Sequence, residues 1–386
     1  MKNLNYFLRI TPTVTALFAS IFGPSASADT LENANALFAH VESVYADSLS
    51  PSGPETQEIQ GYYVRYYANS GIYVGVLGQK VYALGGTLGE DLVYAGRMDE
   101  FITVSGVDIS DAILSNTRGS CAYYAENTFA SALDIQRGVE LDATLSITVD
   151  GDSCSLAANS IPNHSFNDAS ASFVDPVTEI NATYEIPLDP EFADAPTALS
   201  LQLDNGLFLN GVKLDLLAAG CFGVGDGKIG CFDMDTNWRY DPMSPLNNFG
   251  TDTHNAHVQP GGQYHYHGNP KALFDLDGDV ASPVIGFAAD GFPIFGSFVQ
   301  DGDVPRAVAS SYQLKEGARP STSDSPGGVY DGTFVDDWEF VEGSGDLDEC
   351  NGMMRDGIYG YYVVDQYPWV LACYQGTPDP SFSKRK

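Results

Sequence analysis

The sequence predicts a mainly β protein, in which a small N-terminal helix and a β-meander precede a larger C-terminal domain of sandwich-like or distorted double-sheet form. Composition is the first reason: 40 Gly, 22 Tyr and 21 Phe accompany only 18% charged residues, a mix that favours half-buried strands and tight turns. The second is a set of short β-branched and aromatic runs, such as Leu145-Ser146-Ile147-Thr148-Val149. The third is the recurrence of turn signals at Asp150-Gly151, Asp204-Asn205-Gly206, Asp277-Gly278 and Asp331-Gly332.

Residues 1–28 read as a secretory signal peptide. Lys2 and Arg9 give a basic start, an apolar stretch runs from Val14 to Phe22, and Ala26-Ser27-Ala28 supplies a small-residue cleavage pattern before Asp29. The apolar run is well short of the ~20 residues that a spanning helix needs, so no membrane insertion is expected after cleavage. The expected destination is the periplasm or the exterior. Residues 29–115 form the N-terminal unit. There, Ala34, Leu37, Phe38, Val41, Val44 and Tyr45 keep helical spacing behind Thr30 as N-cap. Aromatic-rich runs at 61–67, 71–76 and 80–84 then predict a meander that ends near 101–104. Residues 116–380 form the larger domain, with strands expected at 145–149 and at Ser200-Leu201-Gln202-Leu203, and 381–386 are a C-terminal tail.

Charge excludes some partners. Lys plus Arg number 18 against 51 Asp plus Glu, for a net charge of −33. Loss of the signal segment, with two basic and no acidic residues, takes this to −35. Nucleic acid is excluded as a partner, because neutralising phosphates needs basic side chains. Six cysteines, an even number, suit disulfides in an exported chain. Fifteen pairings are open, of which neighbour pairing is the simplest: Cys121–Cys154, Cys221–Cys231 and Cys350–Cys373.

The chemistry concentrates in residues 252–268, which hold four of the six histidines. From Tyr264 the chain has strand propensity, so His265 and His267 share a face, with Tyr264 and Tyr266 turned to the core. Two imidazoles roughly 7 Å apart at their bases can hold one metal ion. A hairpin through Pro260-Gly261-Gly262 can return His257 beside them, and His254 is a candidate fourth ligand or supporting group. Neutral imidazole suits copper or zinc in an oxidising setting. Calcium is a further candidate at Asp233-x-Asp235-x-Asn237, with Asp241 following, or at Asp275-x-Asp277-x-Asp279; neither has EF-hand spacing.

Several blocks resemble the bacterial YHYH-domain family, named for the tetrapeptide that appears here as Tyr264-His265-Tyr266-His267. They include Ser160-Ile161-Pro162-Asn163-His164, Asn210-Gly211-Val212, Trp238-Arg239-Tyr240, Asn255-Ala256-His257-Val258-Gln259-Pro260, the run from Gly286 to Gly296, the run from Tyr330 to Asp337, and Asp346 to Gly352. The resemblance spans roughly Cys154 to Pro378. It adds His164 as a further candidate ligand, and Asp290 and Asp331 as candidate partners of a metal-bound His or as turn residues. There is also an internal echo. Asp348-Glu349-Cys350-Asn351-Gly352 leads to Tyr359-Gly360-Tyr361-Tyr362 much as Asp252 leads to Tyr264-His265-Tyr266-His267, with both histidines missing from the second copy.

Two readings of function follow. In one, the chain is an exported transition-metal protein; no general base beside the histidines is evident, so no reaction is assigned. Its partner would be a small molecule. In the other, it is a non-enzymatic extracellular module that binds a polymer, glycan or protein, and its histidines are structural.

Overall fold

The computed structural model describes residues 31–44, 56–59, 62–67, 72–77, 80–85, 93–97 and 107–384. The expected signal peptide, Thr30 and residues 101–104 lie outside the described residues. The chain divides into two compact units between Ser105 and Gly106. This is earlier than the expected 115/116 boundary, because residues 107–109 already pair with the second unit.

The first unit has one helix, α1 (Leu31–Val44), and five strands: β1 (Gln57–Ile59), β2 (Tyr62–Tyr67), β3 (Ile72–Leu77), β4 (Lys80–Gly85) and β5 (Val93–Arg97). The strands form an antiparallel meander in chain order. The helical spacing buries Ala34, Leu37, Phe38 and Val41 against Tyr67, Val74 and Val76. Glu42 accepts from Arg65 Nη1 (2.9 Å) and from Tyr67 Oη (2.7 Å).

The second unit opens with a five-stranded sheet: β6 (Val107–Asp108), β7 (Asn127–Asp134), β8 (Val139–Asp150), β9 (Ser153–Ala158) and β10 (Ala182–Pro187). Asp150-Gly151 makes the β8–β9 turn, and Cys121–Cys154 braces this sheet. Next come β11 (Thr197–Ala198), β12 (Gly206–Phe208), β13 (Lys213–Leu214), β14 (Ala256–Val258), β15 (Tyr264–Tyr266), β16 (Val284–Ala288) and β17 (Pro293–Phe295). β18 (Phe298–Asp301) pairs with β19 (Val304–Ala307), and β20 (Tyr312–Leu314) with β21 (Trp338–Phe340). β22 (Gly352–Arg355), β23 (Ile358–Tyr362) and β24 (Cys373–Tyr374) complete the list. The three disulfides are those of neighbour pairing.

One expected strand is absent. Ser200–Leu203 is a turn, because Ser200 Oγ accepts from Gln202 N (3.1 Å) and the Ser200 carbonyl accepts from Leu203 N (3.2 Å). Residues 381–384 do not hang free: Phe382 is fully buried and Lys384 is paired with Asp215.

An eight-stranded sheet carries the core. Its order is β14-β15-β13-β12-β16-β17-β23-β22, and the two halves mirror each other about the β12–β16 pair. Each half is a hairpin joined in parallel to a second hairpin. The correspondence reaches individual hydrogen bonds. Leu209 N donates to the Ile285 carbonyl and Ala289 N to that of Asn205. Gly211 (φ +81°) and Gly291 (φ +88°) occupy the same turn position, where a left-handed conformation suits glycine. Asp252 and Asp348 each cap a loop, and each accepts from a tyrosine, Tyr264 (2.8 Å) or Tyr359 (2.9 Å). The internal echo in the sequence is therefore a repeat of the architecture. By register, Met353, Gly360 and Tyr362 stand where the first half has His257, His265 and His267. That second position is filled: Tyr362 stacks on Phe295 at 5.1 Å, and a Cβ at Gly360 would meet Phe295 Cε2 at 2.5 Å.

Candidate metal centre

The β14–β15 hairpin builds the site. Its register sets His257 directly opposite His265, with Val258 opposite Tyr264 and Ala256 opposite Tyr266. Strand alternation sends Tyr264 and Tyr266 into the core, where both are fully buried. His265 and His267 take the other face, and His257 reaches them from the neighbouring strand. One ring nitrogen from each of the three lies within 4.8 Å of the other two. His267 Nε2 is 3.1 Å from His265 Nε2 and 3.0 Å from His257 Nε2.

The outer ring nitrogens fix the tautomers. His257 Nδ1 lies 2.6 Å from the Phe249 carbonyl and His265 Nδ1 lies 3.3 Å from the Gln263 carbonyl. A carbonyl only accepts, so both Nδ1 atoms carry hydrogen and both Nε2 atoms present lone pairs. A proton on His267 Nε2 can satisfy one of its two Nε2 contacts and not the other. A cation at the centre satisfies all three. Metal–nitrogen bonds of 2.0–2.1 Å in tetrahedral geometry place ligand nitrogens about 3.3 Å apart, close to the spacing here. Backbone carbonyls that orient ligand imidazoles through Nδ1 are a usual feature of metal-bound histidine.

Burial holds all three imidazoles neutral. His267 is pushed down to about 3, first by desolvation and then by the neighbouring His257. His265 lies well below its ordinary value for the same reasons. His257 is lowered by burial, against the opposing pull of its bond to Phe249. It is the partly exposed member, whereas His265 and His267 are buried.

The other two candidate ligands do not join the triad. His164 Nε2 contacts the Tyr266 hydroxyl at 2.5 Å, its Nδ1 meets the Ser165 carbonyl at 2.9 Å, and its ring packs on His254 at 4.0 Å. Since Tyr266 points away from His265 and His267, His164 and His254 form a separate pair beside Tyr266. Of the acidic candidates, Asp290 is a turn residue that accepts from Phe292 N, Gly376 N and Tyr361 Oη. Asp331 accepts from Thr333 and Arg319. Asp275 commits its two oxygens to Asp277 N and Asp279 N, and Asp241 turns inward to Trp369 Nε1 (3.0 Å). Among the described residues, the three histidines are the group that could hold an ion.

Beside the triad lies a charge network that the sequence reading does not identify. Lys213 Nζ is 2.7 Å from Asp204 Oδ1 and 3.6 Å from Asp215 Oδ2. Lys384 Nζ is 2.6 Å from Asp215 Oδ2. Burial would raise Asp215, but Lys384 and Lys213 prevail and hold it below the ordinary carboxylate value. Asp204 is raised by burial, against the pull of Lys213. The available signal was two charges inside the apolar run Val212-Lys213-Leu214-Asp215-Leu216-Leu217.

Neither the curated proteins nor the solved structures contain a significant match to the chain. The family model described as YHYH protein matches residues 183–376. Ser160–His164 lies before that stretch. The matched residues include every strand of the eight-stranded sheet, the histidine triad and its counterpart positions in the second half. As they also make up just over half of the sequence, this chain belongs to the YHYH protein family.

Proposed function

We propose that this protein is exported and binds one transition-metal ion, copper or zinc, through His257, His265 and His267. The observation that carries the reading is the convergence of three imidazole nitrogens, two of them with Nδ1 tied to backbone carbonyls. Export is supported by the basic-apolar start of the sequence and by the pairing of all six cysteines. Among the described residues, no helix is long and apolar enough to cross a membrane. Three protein ligands leave a coordination position open. Bound there, the metal would supply Lewis-acid or, with copper, redox chemistry. The chain would hold the ion, orient the imidazoles and keep them neutral.

One feature favours the second reading, binding of a polymer or protein. A cleft of about 510 Å³ lies beside Tyr359, in the half of the sheet without histidines, and is lined by Arg118, Tyr123, Phe192 and Met354.

Thermal unfolding tests the metal reading. Zinc or copper at 100 times its Kd is expected to stabilise the fold by about 2.7 kcal/mol and raise Tm accordingly. His267→Ala is expected to abolish that shift. An unchanged wild-type Tm under saturating metal would contradict the reading.

A further inference from the structure

We infer that the metal-loaded triad takes its remaining ligand from solution as a small anion, because the carboxylates beside the three imidazoles are already neutralised by lysines. This rests on the metal reading above and deepens it by naming the class of ligand or substrate that the site accepts.

Asp204, Asp215, Lys213 and Lys384 form one linked set, with contacts of 2.7 Å between Lys213 and Asp204, 3.6 Å between Lys213 and Asp215, and 2.6 Å between Lys384 and Asp215. Two carboxylates and two ammonium groups sum to zero, wherever the shared protons sit. Three neutral imidazoles add nothing. A divalent ion held by them would therefore stand as uncompensated positive charge, in a place where His265 is 3% and His267 4% exposed. Burying an unpaired charge is costly.

Asp215, whose charge acts on His257 and His267, is not free to act as the counter-charge. Both of its oxygens accept from Lys384 Nζ, at 2.7 and 2.6 Å. To reach the metal it would have to abandon that pair and leave a lysine unmatched. Lys213, Lys228 and Lys384 each act on one of the three histidines, while Asp215 acts on His257 and His267 in the opposite sense and more strongly than the lysine in each case. Lys228 is exposed on the loop closed by Cys221–Cys231 and acts on the half-buried His257. The open coordination position lets an anion that arrives past the half-buried His257 bind the metal directly.

Azide titration of the protein loaded with copper(II) tests this. The expected result is a saturable azide-to-copper charge-transfer band, with one azide per copper. Lys384→Met should weaken azide binding roughly tenfold, since the released Asp215 carboxylate competes for the metal. Stoichiometric copper with a spectrum that azide leaves unchanged would overturn the inference and leave the metal reading standing. Failure of the wild type to take up copper at all would overturn both.

Discussion

Asp252→Ala is expected to destabilise the second unit by about 3–5 kcal/mol and to empty the metal centre. The carboxylate of Asp252 is buried and serves four donors: His254 N (3.0 Å), Ala256 N (3.3 Å), Asn167 N (3.2 Å) and Tyr264 Oη (2.8 Å). Alanine would leave these donors unmatched and release the turn that delivers His257 into β14. The repeat supplies an internal control. Asp348 does the same work in the other half, accepting from Cys350 N, Gly352 N and Tyr359 Oη, each at 2.9 Å. Asp348→Ala should therefore cost a similar amount in chemical denaturation, yet leave the metal content per folded molecule unchanged. Equal metal loss in both variants would contradict the assignment of ligands to one half alone.

Acid sensitivity is the second large effect, and His164 is its clearest source. Burial and the adjacent His254 push His164 down to about 3, whereas an unfolded histidine titrates near 6.5. Between those values the unfolded chain binds a proton that the folded chain refuses. Stability from this group is thus complete above pH 6.5 and is lost as pH falls toward 3, by about 2 kcal/mol at pH 5. Asp241 works in the opposite sense. Burial pushes it up to about 6, so the folded state holds the extra proton between its ordinary carboxylate value and that point. The clean readout is a difference: the drop in unfolding free energy from pH 7.5 to pH 5 should be smaller by about 2 kcal/mol in His164→Gln than in the wild type. Identical pH profiles would show that His164 is not held neutral by the fold.

Much of the site was legible because it is local. His-x-His in a strand places two imidazoles on one face whatever the rest of the fold does, and the Gly261-Gly262 turn returns the chain at the right length for His257 to pair with His265. Neighbour pairing of the cysteines is local in the same sense, with separations of 33, 10 and 23 residues. What escaped depends on distant pairing. The partners of Lys213 and Asp215 are set only when β13 lies parallel to β15, with Leu214 beside Tyr266, and when residues 383–384 bring Lys384 across. His164 has the ring chemistry of a ligand, but its partner is the Tyr266 hydroxyl on the opposite face of the strand. Ser200–Leu203 alternates like a strand, yet the Ser200 side chain captures its own backbone two residues on. The echo at Asp348–Tyr362 was visible as a few shared residue types. Its meaning as a second half of one sheet needed the register.

The most direct measurement is elemental analysis of the mature chain, purified without a histidine tag, beside a His265→Ala/His267→Ala variant. About one copper or zinc per wild-type chain is expected, with none in the variant while its disulfides and β-sheet circular dichroism persist. A wild type that holds no transition metal after reconstitution, or a variant that retains the same amount, would contradict the assignment of His257, His265 and His267 as a metal centre.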